Sequence, residues 1–318
     1  MEQDPEQHPE QHPVRPAGGP ELPRSPSGRV PRWVRDEAAA RDVVPEPRRP
    51  AVRGPLRVLG RQLLLGASVV AALAWGALGG PVPPLPGAAP APSPVGPDLP
   101  TPGRGAAGAP LGEPAPLAAT SAAYRFLHPR EGGATAYDPC RPVHYVVRPD
   151  GAPPGGDLLL AEAVARVGTA TGLRFVAEGA TAEGPVERRA PFQRDAYGDR
   201  WAPVLVAWAT PAEAPRLAGE VTGYAGSHSV TAPGRPPVLV TGEVVLDAGQ
   251  MARVLARPGG WAAARGIVQH ELAHLVGLGH VDDPTQLMHP STGPVTDFAA
   301  GDLTGLAVLG RGPCVPEV

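Results

Sequence analysis

The chain has 318 residues and a formal net charge of −3, from 28 basic and 31 acidic side chains, which excludes a strongly basic nucleic-acid binder. Its 45 Pro and 41 Gly make up roughly 27% of the residues, close to the level of low-complexity sequence. Of the prolines, 25 lie in residues 1–120; that third cannot carry a packed core, whereas the remainder is long enough for one ordinary domain.

Residues 1–61 show neither helical nor strand periodicity. They carry a PEQH-like repeat at Pro5–His8 and Pro9–His12 and read as a disordered tail. An alternative is a docking segment, since Pro45, Pro47 and Pro50 favour extended structure. Residues 62–80, QLLLGASVVAALAWGALGG, are 19 positions without a charge or a proline, about the length that crosses a bilayer as a helix. Arg48, Arg49, Arg53, Arg57 and Arg61 precede this run, and the first charge beyond it is Asp98. That asymmetry predicts a single-pass anchor in the cell membrane, with residues 1–61 cytoplasmic and the rest extracellular. The rivals are a cleaved export signal, for which the leader is long, and a soluble core helix. Residues 81–119, rich in Pro, Ala and Gly, read as a semi-extended linker.

The domain is expected over residues 120–318. Val143–Val147 is β-rich. Asp157–Thr171 has apolar residues at helical spacing, with Asp157 as N-cap and Gly172 as stop. Leu173–Val176 and Pro203–Trp208 read as strands, as do Pro237–Thr241 and Glu243–Asp247 on either side of a Thr241–Gly242 turn. Helices follow at Trp261–Val276 and Phe298–Leu309. Strands interleaved with helices indicate a layered α/β or α+β domain. The chain has no Lys or Asn and a single Ile, Ile267, a bias that fits a GC-rich genome such as an actinobacterium's.

One string carries chemistry. His270-Glu-Leu-Ala-His274-Leu-Val-Gly277-Leu-Gly-His280 has the pattern H-E-x-x-H-x-x-G-x-x-H. On a helix His270 and His274 leave the same face and can grip one Zn²⁺. Gly277 can end the helix in the left-handed conformation, so that the chain turns back and His280 arrives as a third ligand. Three imidazoles leave a fourth position open, which marks a catalytic zinc site. Glu271 stands beside the metal as the catalytic base.

With these residues the sequence resembles the metzincin clan of zinc endopeptidases, most closely its matrixin-like members. Met288, in Leu287-Met288-His289-Pro290, resembles the Met-turn, where Met288 and Pro290 would support the site. Residues 298–306 resemble the closing helix, where an acid near its start ties down that turn; here the acid is Asp302. The resemblance implies a mixed, mostly parallel twisted sheet with an antiparallel edge strand, a zinc-site helix, a Met-turn and a C-terminal helix. It places Val238–Thr241 and Glu243–Asp247 at the edge strand and its neighbour. Ala273 and Val281 depart from the matrixin pattern. No stretch resembles matrixin structural-zinc or calcium loops, so calcium stays open. A cysteine caps the zinc in matrixin propeptides, and Cys140 has a faint likeness to it. Cys140 and Cys314, however, bracket the domain, and in an oxidising exterior they read more simply as a disulfide.

The function expected is thus a membrane-anchored, extracellular, monomeric zinc endopeptidase acting on peptides or proteins, with no nucleic-acid partner. Two other classes stay open. One is a zinc-binding pseudoenzyme serving as an adhesion or regulatory module, against which Glu271 argues. The other is a signalling protein whose outer domain senses a ligand.

Overall fold

The structure, a computed structural model, describes residues 99–291 and 293–318. The tail, membrane segment and linker expected up to residue 98 lie outside the described residues. Among the described residues no helix is long and apolar enough to cross a membrane.

In chain order the elements are β1 (Arg125–Phe126), β2 (Pro129–Arg130), β3 (Gly133–Ala134), β4 (Val143–Arg148), α1 (Gly156–Thr171), β5 (Phe175–Ala180), α2 (Arg194–Tyr197) and β6 (Val204–Ala209). A 3₁₀ turn at Pro215–Leu217 leads to β7 (Gly223–Val230), β8 (Val238–Asp247), α3 (Ala248–Leu255), α4 (Gly260–Val276), β9 (Leu278–Gly279) and α5 (Ala300–Leu309). Five strands form one sheet in the order β5-β4-β6-β8-β7. All neighbours are parallel except β7, which runs antiparallel to β8 at the edge. The mixed, mainly parallel sheet agrees with the expected fold class.

Burial explains this arrangement. Every residue of β6 is buried, as the continuous apolar run VLVAWA requires of a strand covered on both faces. On one face α1 and α4 pack over Val204, Val206, Trp208, Val244 and Leu246, with Leu159, Val167, Val268, Leu272 and Leu275 filling the interface. On the other face irregular chain covers the sheet. Leu217 and Val221 seal Val245, and Arg189 lies buried with its Nη1 donating to Thr241 Oγ1 at 3.2 Å.

Four local expectations need correction. First, Thr241–Gly242 is not a turn; β8 runs through it unbroken. A Cβ on Gly242 would crowd Leu275 Cδ1 at 2.7 Å and Ser227 Oγ at 2.8 Å. The glycine therefore serves close approach between β7, β8 and α4 rather than chain reversal. Second, the antiparallel edge strand is Gly223–Val230, not Val238–Thr241; its sequence GYAGSHSV lacks the β-branched alternation that marks strands. Third, α1 is entered through Gly155 at φ 79, with no side-chain cap, so Asp157 sits in the first turn instead of capping it. Fourth, residues 99–119 lie along the domain rather than forming linker. Ala107 N donates to Cys140 O at 2.7 Å, Leu111 N to Pro139 O at 2.9 Å and Ala115 N to Thr169 O at 3.0 Å. Pro and Gly suit this course because few backbone donors need partners and Gly112 lets the strap touch Gly172.

The Pro139–Cys140 segment on which the strap lies is joined to the stretch after α5 by a disulfide between Cys140 and Cys314. Asp138 secures the same point, its Oδ1 accepting from Cys140 N at 2.8 Å and its Oδ2 from Val315 N at 3.1 Å.

Candidate metal centre

Helix α4 carries His270, Glu271 and His274 on its C-terminal half, and ends at Gly277 with φ 112. Only glycine adopts that angle without strain, and here it is needed: a Cβ would also stand 3.1 Å from Thr135 O. The chain reverses into β9, which pairs with β1 through Arg125↔Gly279 and Phe126↔Leu278. Leu127 N donates to Gly277 O at 2.9 Å. This short ladder fixes where His280 emerges.

The three imidazoles converge through Nε2. His280 Nε2 stands 3.0 Å from His270 Nε2 and 3.0 Å from His274 Nε2. The Nδ1 atoms of His270 and His274 are committed elsewhere, to Leu287 O at 2.8 Å and to Leu278 O at 2.8 Å. A carbonyl only accepts, so each Nδ1 must carry the hydrogen, and each Nε2 presents its lone pair toward the shared centre. Neutral imidazoles locked into the Nε2-ligating tautomer by carbonyl acceptors suit a zinc ion. The residues present fit the metal.

Glu271 lies in the wall of this centre, 8% exposed. Its carboxyl has no hydrogen-bond or ion-pair partner among the described residues. Burial pushes it up to about 8, against a smaller opposing pull from Arg216. Gly223 of β7 packs directly on it: a Cβ there would stand 3.0 Å from Glu271 Cγ. The same edge strand is tied to α4 by Ser227 Oγ, which donates to Leu275 O at 2.7 Å and meets Tyr137 Oη at 3.0 Å.

Met288 is completely buried in the core cluster that contains Leu272, Leu275 and Leu306. Its turn is bound on two sides. Val281 N, just past His280, donates to Met288 O at 3.1 Å. Asp302 at the start of α5 accepts Leu287 N at 2.7 Å, Met288 N at 3.2 Å and Ala299 N at 2.9 Å. Gln286 Oε1 returns the contact by accepting from Gly301 N at 2.8 Å. Pro290 is half-buried at the end of the turn. Cys140 and Cys314 are paired with each other, so neither thiol is available to cap the three histidines.

Sequence reasoning missed the carbonyls of Leu278 and Leu287 as orienting acceptors, and Gly223 as the residue lying on Glu271. Backbone acceptors carry no side-chain signature. Gly223 was detectable only once β7 was recognised as the edge strand.

No family model matches the chain, and no curated protein matches it. Among solved structures it is similar to an archaemetzincin from Methanopyrus kandleri, at 18% identity over 54% of this chain and 87% of that one, with a TM-score of 0.26. A likeness that slight assigns no activity; the functional reading rests on the geometry of the site.

Proposed function

We propose that the chain is a zinc-dependent endopeptidase. The observation that carries this is the convergence of three imidazole Nε2 atoms, two of them locked by carbonyl acceptors, beside a buried glutamate without a partner of its own among the described residues. His270, His274 and His280 would hold the ion, which when bound supplies Lewis-acid polarisation of a carbonyl and a water acidic near neutral pH.

The chain's own groups account for the remaining requirements. Glu271 takes the proton of the attacking water on its carboxylate and returns it to the leaving amine. The outer edge of β7 supports a peptide substrate, because β8 occupies only one side of this strand and an extended chain can add to the other. The matrixin-like character, the single-pass anchor at 62–80 and the extracellular placement belong to the same proposal, supported by the Met288 spacing and by the arginines that precede residue 62.

The test is zinc content together with cleavage of a peptide library. Glu271→Ala is expected to keep stoichiometric zinc and lose cleavage; His274→Ala is expected to lose both. In wild-type protein, chelator should abolish cleavage and zinc restore it. Equal cleavage by wild type and Glu271→Ala would overturn the proposal.

A further inference from the structure

Leu275 follows His274 in the last turn of α4. A carbonyl there has no later amide of the helix to accept from, and it is met from outside: Ser227 Oγ on β7 donates to Leu275 O at 2.7 Å. That bond uses the hydroxyl hydrogen of Ser227. The contact between Tyr137 Oη and Ser227 Oγ at 3.0 Å therefore has Tyr137 as its donor. A chain of hydrogen bonds thus runs from Tyr137 through Ser227 into the helix that carries His270 and His274. Tyr137 is itself held: it is buried and bridged to Leu239 of β8, whose N donates to Ala136 O at 2.9 Å.

Alternate residues of β7 face α4. Gly223 lies on Glu271 Cγ, and Ala225 packs against the cluster that contains Leu272 and Leu275. Neither offers the helix a polar side chain, so neither contact has a direction; Ser227 supplies one. It stands just before the β7–β8 ladder shifts register, between His228 and Ser229. Pairing with β8 is locally disrupted there and sets this end of β7 less firmly. The other side of β7 is the open edge of the sheet. The position of β7 along α4 therefore decides where an extended peptide on that edge falls relative to the three Nε2 atoms and Glu271. A misplacement of about 1 Å can cost on the order of a hundredfold in rate.

We propose that Ser227 is a positioning residue of the site: its hydroxyl, oriented by Tyr137, sets the edge strand against the histidine-bearing helix so that an extended peptide on the strand's outer edge lies within reach of the three histidines and Glu271. This inference rests on the endopeptidase reading and adds to it the residue that aligns the substrate strand.

The experiment uses the full chain loaded with zinc and a library of fluorescein-labelled extended peptides. KM, kcat and zinc affinity are measured for wild type, Ser227→Ala, Ser227→Thr and Tyr137→Phe. Peptide binding is measured by anisotropy in a Glu271→Ala background with and without Ser227→Ala. Val146→Ala serves as the control for lost stability alone, since Val146 is buried with Leu205 and Ala207 on the opposite face of the sheet. Ser227→Ala is expected to keep its zinc affinity and lose about tenfold or more in kcat. Ser227→Thr, which keeps the donor, should recover most of the loss, and Tyr137→Phe, which removes only the orienting hydroxyl, should fall between. Val146→Ala should keep the wild-type kcat. A loss of kcat in Ser227→Ala no greater than in Val146→Ala overturns the role of Ser227 and leaves the endopeptidase reading intact. Absence of cleavage by the wild type overturns the endopeptidase reading, and anisotropy then decides Ser227. Weaker peptide binding on Ser227→Ala supports the positioning, and equal binding overturns it.

Discussion

Asp302 and His270 grip the same residue from opposite sides. Leu287 donates its amide to Asp302 Oδ2 at 2.7 Å, and its carbonyl accepts from His270 Nδ1 at 2.8 Å. A carboxylate that is fully buried on α5 therefore orients an imidazole on α4 through one residue, Leu287. Asp302→Ala strands the amides of Leu287, Met288 and Ala299 together. The expected loss is about 3 kcal/mol in urea unfolding of the apo protein, the range for buried donors deprived of an acceptor. Zinc affinity should fall about tenfold or more, as when outer partners of ligating histidines are removed. Asp302→Asn, which keeps one acceptor oxygen, should lose less of each. Unchanged zinc affinity in Asp302→Ala would show that the Leu287 turn holds without its anchor.

The face of the sheet opposite the histidines is secured by a charged cluster whose strength depends on pH. Arg189 donates to Glu183 twice, at 2.8 and 2.9 Å, and Tyr197 and Gln193 donate to the same carboxylate at 2.6 and 3.0 Å. Burial pushes the Glu183 carboxyl up, but these donors outweigh it and hold it below its ordinary value of 4.5. A depressed acid contributes stability that is present above its unfolded value and lost as pH falls through its folded one. Glu183→Gln should therefore be destabilised relative to wild type at pH 7, where Arg189 loses its counter-charge. The gap should begin to close as the pH falls below about 4.5, where the unfolded chain takes up the proton, and vanish only below the depressed folded value of wild-type Glu183. Parallel stability curves for the two proteins between pH 7 and pH 3 would contradict this account.

The disulfide spans 174 residues of sequence and ties the segment just before β4 to the stretch after α5. Cross-linking so long a loop restricts the unfolded chain and contributes roughly 5 kcal/mol in the chain-entropy model. Cys140→Ser with Cys314→Ser should cost about 2–5 kcal/mol in denaturant unfolding. Reductant should lower wild-type stability toward that of the variant and leave the variant itself unaffected. Equal stability of the two proteins without reductant would mean that the pair is not formed in solution.

Much of the site was readable because its chemistry lies in one local string. His270, Glu271, His274, Gly277 and His280 all follow from helical spacing and one glycine-terminated helix, and the structure gathers them. The strongly apolar strand β6 was readable for the same reason, since burial on both faces leaves a continuous hydrophobic run. What escaped depends on contacts distant in sequence. β7 has small and polar residues because α4 presses on it, so its strand character comes from pairing with β8 rather than from propensity. β1 and β9 are two residues each and exist only as partners of one another. The strap at 99–119 resembles linker in composition, and its docking relies on backbone groups, which composition does not report.

Gly242 tests the same point from the opposite direction. As a turn residue it would be chosen for its backbone angles, and alanine there would be tolerated wherever φ is negative. As a strand residue it is chosen for space, and its φ is not in the left-handed region. A Cβ at this position would press on Gly226 O, Leu275 Cδ1 and Ser227 Oγ at once. Two of these are constrained: Ser227 is bonded to Leu275 O, and Gly226 sits in the β7 ladder. Gly242→Ala should therefore force β7 away from α4 at a cost of about 1–3 kcal/mol, the range for overpacking. Because β7 also carries Gly223 against Glu271, displacement of the strand should weaken peptide binding more than zinc binding. Hydrogen exchange of the Gly223–Val230 amides, compared with that of β6, resolves the two effects. Faster exchange confined to β7 is expected, whereas uniform exchange with full stability would return Gly242 to the role of a turn.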